Sequence, residues 1–253
     1  LEGLQEKTTK RRLRNCGRAR QSEAFLPELR HNAFTGTTYL SGLQHCGYAQ
    51  FCPDCAAKIA NARAKEIDKG VTTALERGHG VYMATFTVPH QDFHSLAEMR
   101  ELQTGGYQHI NSGRAWTEDV ADFGILGQIR VTEVTHGYFK LIYNNGWHLH
   151  LHLLFFTDKP LENPDQFHSR LFSRWQKYVV GKGYGKPEAQ GTDIMQITET
   201  AGIGRYLSKL NVSIGNELTR SDLKKGKKGG ATIWELAWGA VALDEPALWA
   251  LWF

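Results

Sequence analysis

The stretch GWHLHLHLLFF, residues 146–156, places histidines at 148, 150 and 152 with a leucine between each pair. Alternate residues of a β-strand point to opposite faces. A strand here stands three imidazoles on one side and Leu149, Leu151 and Leu153 on the other. The chain holds 11 histidines, and three of them fall on one strand face inside an otherwise apolar run. A metal site, a phosphate site and a nucleophile are the chemistries that use such a face. The plain alternative is a polar sheet face built from histidine by chance, and strict alternation of three argues against it.

The surrounding chain is that of an ordinary globular protein. It has 253 residues, of which 41% are hydrophobic and 22% charged. That is enough for one large domain, or for a catalytic domain with small attachments. No apolar run approaches the ~20 residues of a membrane span, so no membrane partner is expected. No export signal is read at the start, where the first residue is Leu1. A trimmed end and a cytoplasmic location are the expectations. The net charge of +4, from 30 Lys+Arg against 26 Asp+Glu, is only mildly basic. Its distribution is more telling. KTTKRRLRNCGRAR (7–20) and RSDLKKGKKGG (220–230) are basic blocks of the kind that meet nucleic acid, or form solvated loops.

The four cysteines are Cys16, Cys46, Cys52 and Cys55, three of them in CGYAQFCPDC. A disulfide reading needs an oxidising compartment, which nothing here signals. A redox C-x-x-C usually follows a strand and opens a helix. Zinc fits the pattern better. Cys52 and Cys55 form one knuckle and Cys46 joins from nearby, with Cys16 or His45 as the fourth ligand. One structural Zn²⁺ in a closed tetrahedral site is expected, against buried free thiols.

Periodicity and punctuation place these motifs on elements. Residues 1–55 lack long apolar periods and read as a loop-rich attachment. AAKIANARAKEIDKGVTTALERG (56–78) is a helix stopped by Gly78, and GVYMATFTVPH (80–90) a strand ended near Pro89. Residues 95–113 read as a helix interrupted near Gly105-Gly106. ILGQIRVTEVTHG (125–137) is a strand, NNG (144–146) a turn, and the histidine run the next strand. A helix over 165–180, a short strand over 193–199 and a helix over 203–214 follow. Residues 231–253 read as helical to the last residue. Helices alternating with antiparallel strands make the class α+β.

Two chemistries compete for the histidines. His150-Leu151-His152 is a His-hydrophobic-His pair, which can grip a divalent ion from one side. RVTEVTHG supplies Glu133 as a third ligand if its strand pairs with the histidine strand. An ion so held keeps positions open for a phosphate oxygen. GRYLSKLN then offers Tyr206 as nucleophile, with Lys209 on the same helical face to ease the phenolate. Alternatively, H-L-H-L-H-L-L resembles the motif of histidine-triad nucleotide hydrolases, in which a histidine attacks a phosphate. That resemblance uses one strand and leaves the cysteines and Tyr206 idle.

The ordered set GLQHCGYAQFCPDCAAKI, MATFTVPH, RVTEVTHG, GWHLHLHLLFF, RYLSKL and ATIWEL resembles plasmid rolling-circle replication initiators of the HUH endonuclease superfamily. The likeness runs from the cysteine region to near the C-terminus. It implies a central antiparallel sheet with flanking helices, as in HUH or ferredoxin-like folds, plus the N-terminal cysteine-rich attachment. By this reading residues 1–60 bind zinc and contact DNA, and 61–220 form the HUH nuclease domain. Residues 221–253 are a basic loop and a C-terminal helix, expected to be cut short.

The resemblance implies His150, His152 and Glu133 as ligands of Mg²⁺ or Mn²⁺. It implies Tyr206 as the DNA-cleaving nucleophile and Lys209 as its helper, with His148 an extra histidine beside the site. The implied activity is nicking of single-stranded or hairpin origin DNA, leaving a 5′-phosphotyrosine and a free 3′-hydroxyl, with host helicase and polymerase as partners. Some relatives carry a glutamate four residues before the tyrosine. Here that position is Gly202, and the nearest acid is Glu199. His90 is expected to be structural, and His136 to lie solvated by a turn.

Overall fold

The computed structural model describes residues 1–138, 144–189, 192–198, 218–219 and 230–252. In chain order the elements are α1 (Glu2–Lys7), α2 (Arg11–Arg14), β1 (Glu28–Asn32), β2 (Thr37–Ser41), α3 (Pro53–Glu76), β3 (Gly80–Thr87), α4 (Leu96–Ile110), α5 (Gly113–Asp122), β4 (Ile125–His136), β5 (Trp147–Thr157), α6 (Pro164–Gly181), β6 (Asp193–Gln196), β7 (Ala231–Thr232), α7 (Ile233–Leu243) and α8 (Pro246–Trp252). They form two compact units, Leu1–Ala60 with Trp234–Phe253, and Asn61–Ile233.

The larger unit is built on a five-stranded sheet of order β6-β3-β5-β4-β7 with antiparallel neighbours throughout. The histidine strand β5 is central, between β3 and β4. Its leucine face is fully buried: Leu149, Leu151, Leu153 and Phe155 are at most 1% exposed. Helices α4 and α6 cover that face. Phe155 meets Phe167 of α6 with ring centroids 5.0 Å apart, and Phe86 of β3 meets Trp175 at 5.4 Å. Thr132 of β4 donates to Gln103 of α4 at 2.8 Å. Burying each such leucine or phenylalanine stabilises the fold by about 1.5–3 kcal/mol.

Both helices start where the sequence supplies caps. Ser95 and Glu98 form a capping box at α4. Asn163 caps α6 with Pro164 at its first position. Helix α5 is tied to α6 by Asp119, 1% exposed, which accepts from Arg170 at 3.2 Å and also pairs with Arg174.

The other face of β5 changes character along its length. At the Leu154 end it joins Ile67, Val71 and Ala74 of α3 and Val81 of β3 in one buried cluster, flanked by Met83, Ile129, Val131 and Phe156. Towards Trp147 the same face passes from this apolar cluster into His152, His150 and His148.

The smaller unit holds α1, α2, the β1–β2 hairpin, the first turns of α3, and α7 and α8. Its buried centre is Leu13 with the four cysteines, flanked by Leu1, Tyr48 and Ile59.

Several elements differ from expectation. Helix α4 runs unbroken through Gly105 and Gly106. A β-carbon on Gly106 would lie 2.6 Å from the Trp175 ring, so the glycine serves close packing of α6 and does not mark a break. The expected continuous helix over 231–253 is instead the short strand β7 followed by α7 and α8, divided at Asp244, whose φ is 46°. The N-terminal segment is less loop-rich than expected, with two short helices and a hairpin. Helix α5 was not expected. The helix expected over 203–214 lies outside the described residues.

Candidate metal centres

Strand pairing assembles the first centre. Glu133 of β4 is directly opposite His150 of β5, and Val131 opposite His152. Opposed residues of an antiparallel pair share a face, with diagonal neighbours also within reach. Glu133 Oε2 accordingly lies 3.2 Å from His152 Nε2. One ligand atom from each of Glu133, His150 and His152 falls within 4.8 Å of the others. His152 is 9% exposed, while His150 and Glu133 are half-buried. The group is held by the sheet on one side and reachable on the other. Two imidazoles and a carboxylate suit a divalent ion that takes nitrogen and oxygen ligands.

A second layer of side chains orients these groups. Thr85 of β3 is opposite His152, and its Oγ1 lies 3.0 Å from His152 Nδ1. It can therefore accept the Nδ1–H of a ring that ligates through Nε2, the usual way a ligating histidine is fixed. On the other flank, His90 Nδ1 is 3.2 Å from the Val88 carbonyl and His90 Nε2 is 3.1 Å from His148 Nδ1. A carbonyl only accepts, so His90 Nδ1 carries a proton. His148 Nδ1 meets His90 Nε2, and His148 Nε2 contacts His150 Nε2. His148 thus stands between His90 and His150, beside the three-residue group.

His136 is a correction. It is 5% exposed rather than solvated, packed edge-on against Trp147 with ring centroids 4.6 Å apart. Burial pushes its pKa below the ordinary histidine value. Tyr206, Lys209, Gly202 and Glu199 lie outside the described residues.

The second centre gathers all four cysteines. Cys16 follows α2, Cys46 follows the hairpin, Cys52 precedes α3 and Cys55 lies in its first turn. Cys16 Sγ is 3.6 Å from the Sγ of Cys52 and of Cys55, and Cys46 Sγ is 3.6 Å from that of Cys55. A tetrahedron with 2.3 Å metal–sulfur bonds has sulfur–sulfur edges of about 3.8 Å. The spacing fits that geometry and is far beyond a disulfide bond.

Backbone amides point at the sulfurs, Cys46 N–H at Cys16 and Tyr48 N–H at Cys46, both at 3.4 Å. Gly47, at φ 71°, makes the turn that allows the second contact. Burial pushes the Cys46 thiol up to about 11 and raises Cys52 as well. Cys55 is buried too, yet hydrogen bonds from the Gly47 backbone and the neighbouring cysteines bring it below its ordinary value. A divalent cation offsets the cost of gathering thiolates in such a place. His45 is exposed and stands outside the cluster, so Cys16 completes the set of four.

No protein-family model matches the chain, and no solved structure matches it. The chain is similar to "Protein rep" of Streptomyces lividans, with 26% identity over 251 residues, covering 79% of this chain and 54% of that protein. It is also similar to "Neomycin resistance protein" of Streptomyces cyanogenus, with 28% identity over 143 residues, covering 47% of this chain and 32% of that protein. The chain thus spans about half the length of the first relative and a third of the second. The resemblance to a plasmid replication initiator, read from the ordered motifs, is supported by a relative that bears the name Protein rep.

Proposed function

We propose that this protein is a replication initiator that nicks origin DNA through a tyrosine nucleophile. The observation that carries this reading is the convergence of Glu133, His150 and His152 on one end of a sheet face. These residues would hold Mg²⁺ or Mn²⁺, which when bound polarises the scissile phosphate. Glu133 and His152 fix one side of the site and Thr85 orients the His152 ring. The Tyr206 phenolic oxygen attacks phosphorus; its bond to phosphorus forms as the bond to the 3′ oxygen breaks. The products are a 5′-phosphotyrosine and a 3′-hydroxyl, formed as the leaving 3′ oxygen takes up a proton in balance with the one the tyrosine gives up. Lys209 favours the phenolate by its charge. The reverse reaction rejoins strands. Gly202 has no carboxylate to activate water in a closing step.

Zn²⁺ on the four cysteines would organise the smaller unit. The partners are single-stranded or hairpin origin DNA, and a host helicase and polymerase that use the new 3′ end. Action on plasmid DNA places the protein in the cytoplasm. Among the described residues no helix is long and apolar enough to cross a membrane.

The test is to incubate the protein with single-stranded origin DNA and Mn²⁺ and resolve covalent adducts on a denaturing gel. The expected result is an adduct with the wild type and none with Tyr206→Phe, which removes only the attacking oxygen and leaves DNA binding nearly intact. An adduct in the Phe variant refutes the nucleophile. A metal-independent activity that hydrolyses nucleotides and depends on all three strand histidines supports the histidine-triad alternative. DNA binding without any adduct leaves a zinc DNA-binding protein.

A further inference from the structure

The smaller unit carries a hairpin whose surface is unusual for a protein exterior. Every residue of β1 and β2 except half-buried Ser41 is exposed, so neither face of this two-stranded ribbon packs on a core. Yet it displays Leu29 at 75%, Phe34 at 99%, and Tyr39 and Leu40 at 49% and 48% exposure. An isolated two-stranded hairpin is marginal in water and must be held from outside. Here its legs are anchored at the base. Gln21 N–H donates to Gly42, Gln44 N–H to Ala19 and Gly17 N–H to Gln44, at 2.7–2.9 Å. Cys16 and Cys46 follow at once on the two legs and meet in the cysteine cluster.

The same pairing brings the basic run to the hairpin base. Lys10, Arg11, Arg12, Arg14, Arg18 and Arg20 are all exposed, with no acid between Glu6 and Glu23. The tip is ordered by Asn32, whose Oδ1 accepts from the backbone N–H of Phe34 at 3.0 Å and of Thr35 at 3.2 Å. Gly36, at φ 65°, completes the turn. Phe34 is therefore an aromatic presented outward on a defined tip. On one face of the ribbon Tyr39 lies opposite Arg30, whose guanidinium is paired with Glu28 at 3.0 Å.

We propose that the β1–β2 hairpin is a finger for unpaired DNA, with phosphates held by the arginines at its base and bases stacked on Phe34 and Tyr39. The inference rests on the DNA-nicking reading above. The charge is complementary to a polyanion, and aromatic faces accept any base by stacking. Five residues of strand reach about 17 Å from base to tip, enough to follow several nucleotides. Clamping by the cysteine site gives this reach without a core of its own.

The experiment is equilibrium binding of the full chain to a fluorescent oligo-dT and to a duplex, over a series of salt concentrations. Phe34→Ala and Tyr39→Ala should each weaken oligo-dT binding about tenfold. Their dependence on salt should stay unchanged, because no phosphate contact is lost. Arg11→Gln and Arg12→Gln should weaken oligo-dT and duplex binding alike, and each should lower the salt slope by about one. Zinc content and far-UV circular dichroism serve as controls that the module is intact. If the wild type binds oligo-dT and the Phe34→Ala/Tyr39→Ala double variant binds it equally, the finger is wrong and the nicking reading stands. The finger is equally wrong if the double variant changes only the mass in solution, since the surface then joins copies of the chain. If the wild type binds no single-stranded DNA, the nicking reading itself falls.

Discussion

At the scale of single residues, the candidate site includes groups beyond its three donor residues. Thr85 is the clearest. Its hydroxyl meets His152 Nδ1 at 3.0 Å, while His152 Nε2 faces Glu133 at 3.2 Å. Thr85→Val keeps the shape and removes the partner that fixes the ring. Loss of such an outer partner typically weakens metal affinity by about 10–100-fold. Titration of Mn²⁺ followed by electron paramagnetic resonance should show that loss with the fold intact. Unchanged affinity would mean that the sheet alone orients His152. His150 and His152 were legible in the sequence, because strict alternation dictates a shared face, and Glu133 was legible on the condition that its strand pairs with theirs. Thr85 was not. Its role depends on β3 pairing with β5 in the register that sets it opposite His152, and a sequence gives strand identity far more readily than register. His136 failed for the opposite reason. It ends a strand next to a turn and so reads as solvated, but Trp147 on the paired strand covers it.

At the scale of elements, α4 and α6 show how packing overrides a local signal. Two successive glycines in a helical pattern read as a break, since each costs about 1 kcal/mol relative to alanine. Helix α4 carries them because α6 approaches closely there. The two positions differ in what an added β-carbon meets. At Gly106 it meets the Trp175 ring, which is fully buried and cannot yield. At Gly105 it meets the phenolic end of Tyr178, half-buried and able to swing aside. Gly106→Ala should therefore lose about 1–3 kcal/mol to overpacking, against a helix-propensity gain of about 1. Gly105→Ala should be neutral or stabilising. Urea unfolding of both variants checks the contrast, and equal effects would show that the helices part freely. The strands were easier to read than this helix pair. Alternation in β4 and β5 reports local burial directly, whereas the glycines report a neighbour sixty or more residues away.

At the scale of the whole molecule, two chemically distinct centres sit in two compact units. The cysteine centre lies in Leu1–Ala60 and the histidine centre in Asn61–Ile233. Their donor atoms suit different ions. Thiolates are soft and favour zinc, while two imidazoles and a carboxylate favour harder, exchangeable ions. The centres also differ in what they do for folding. The cysteine set is itself the buried centre of its unit, so zinc held there would contribute to folding directly. The histidine centre stands at the margin of a sheet whose core is complete without it. Brief treatment with EDTA should therefore strip the histidine centre and abolish nicking, which Mn²⁺ then restores, while one zinc per chain is retained. Cys52→Ser should behave differently, with zinc lost and the smaller unit unfolded, seen as increased proteolysis before residue 60. Elemental analysis after the EDTA step decides between the centres. Zinc well below one per chain with the far-UV spectrum unchanged would make the four cysteines buried thiols held by packing with Leu13 and Tyr48.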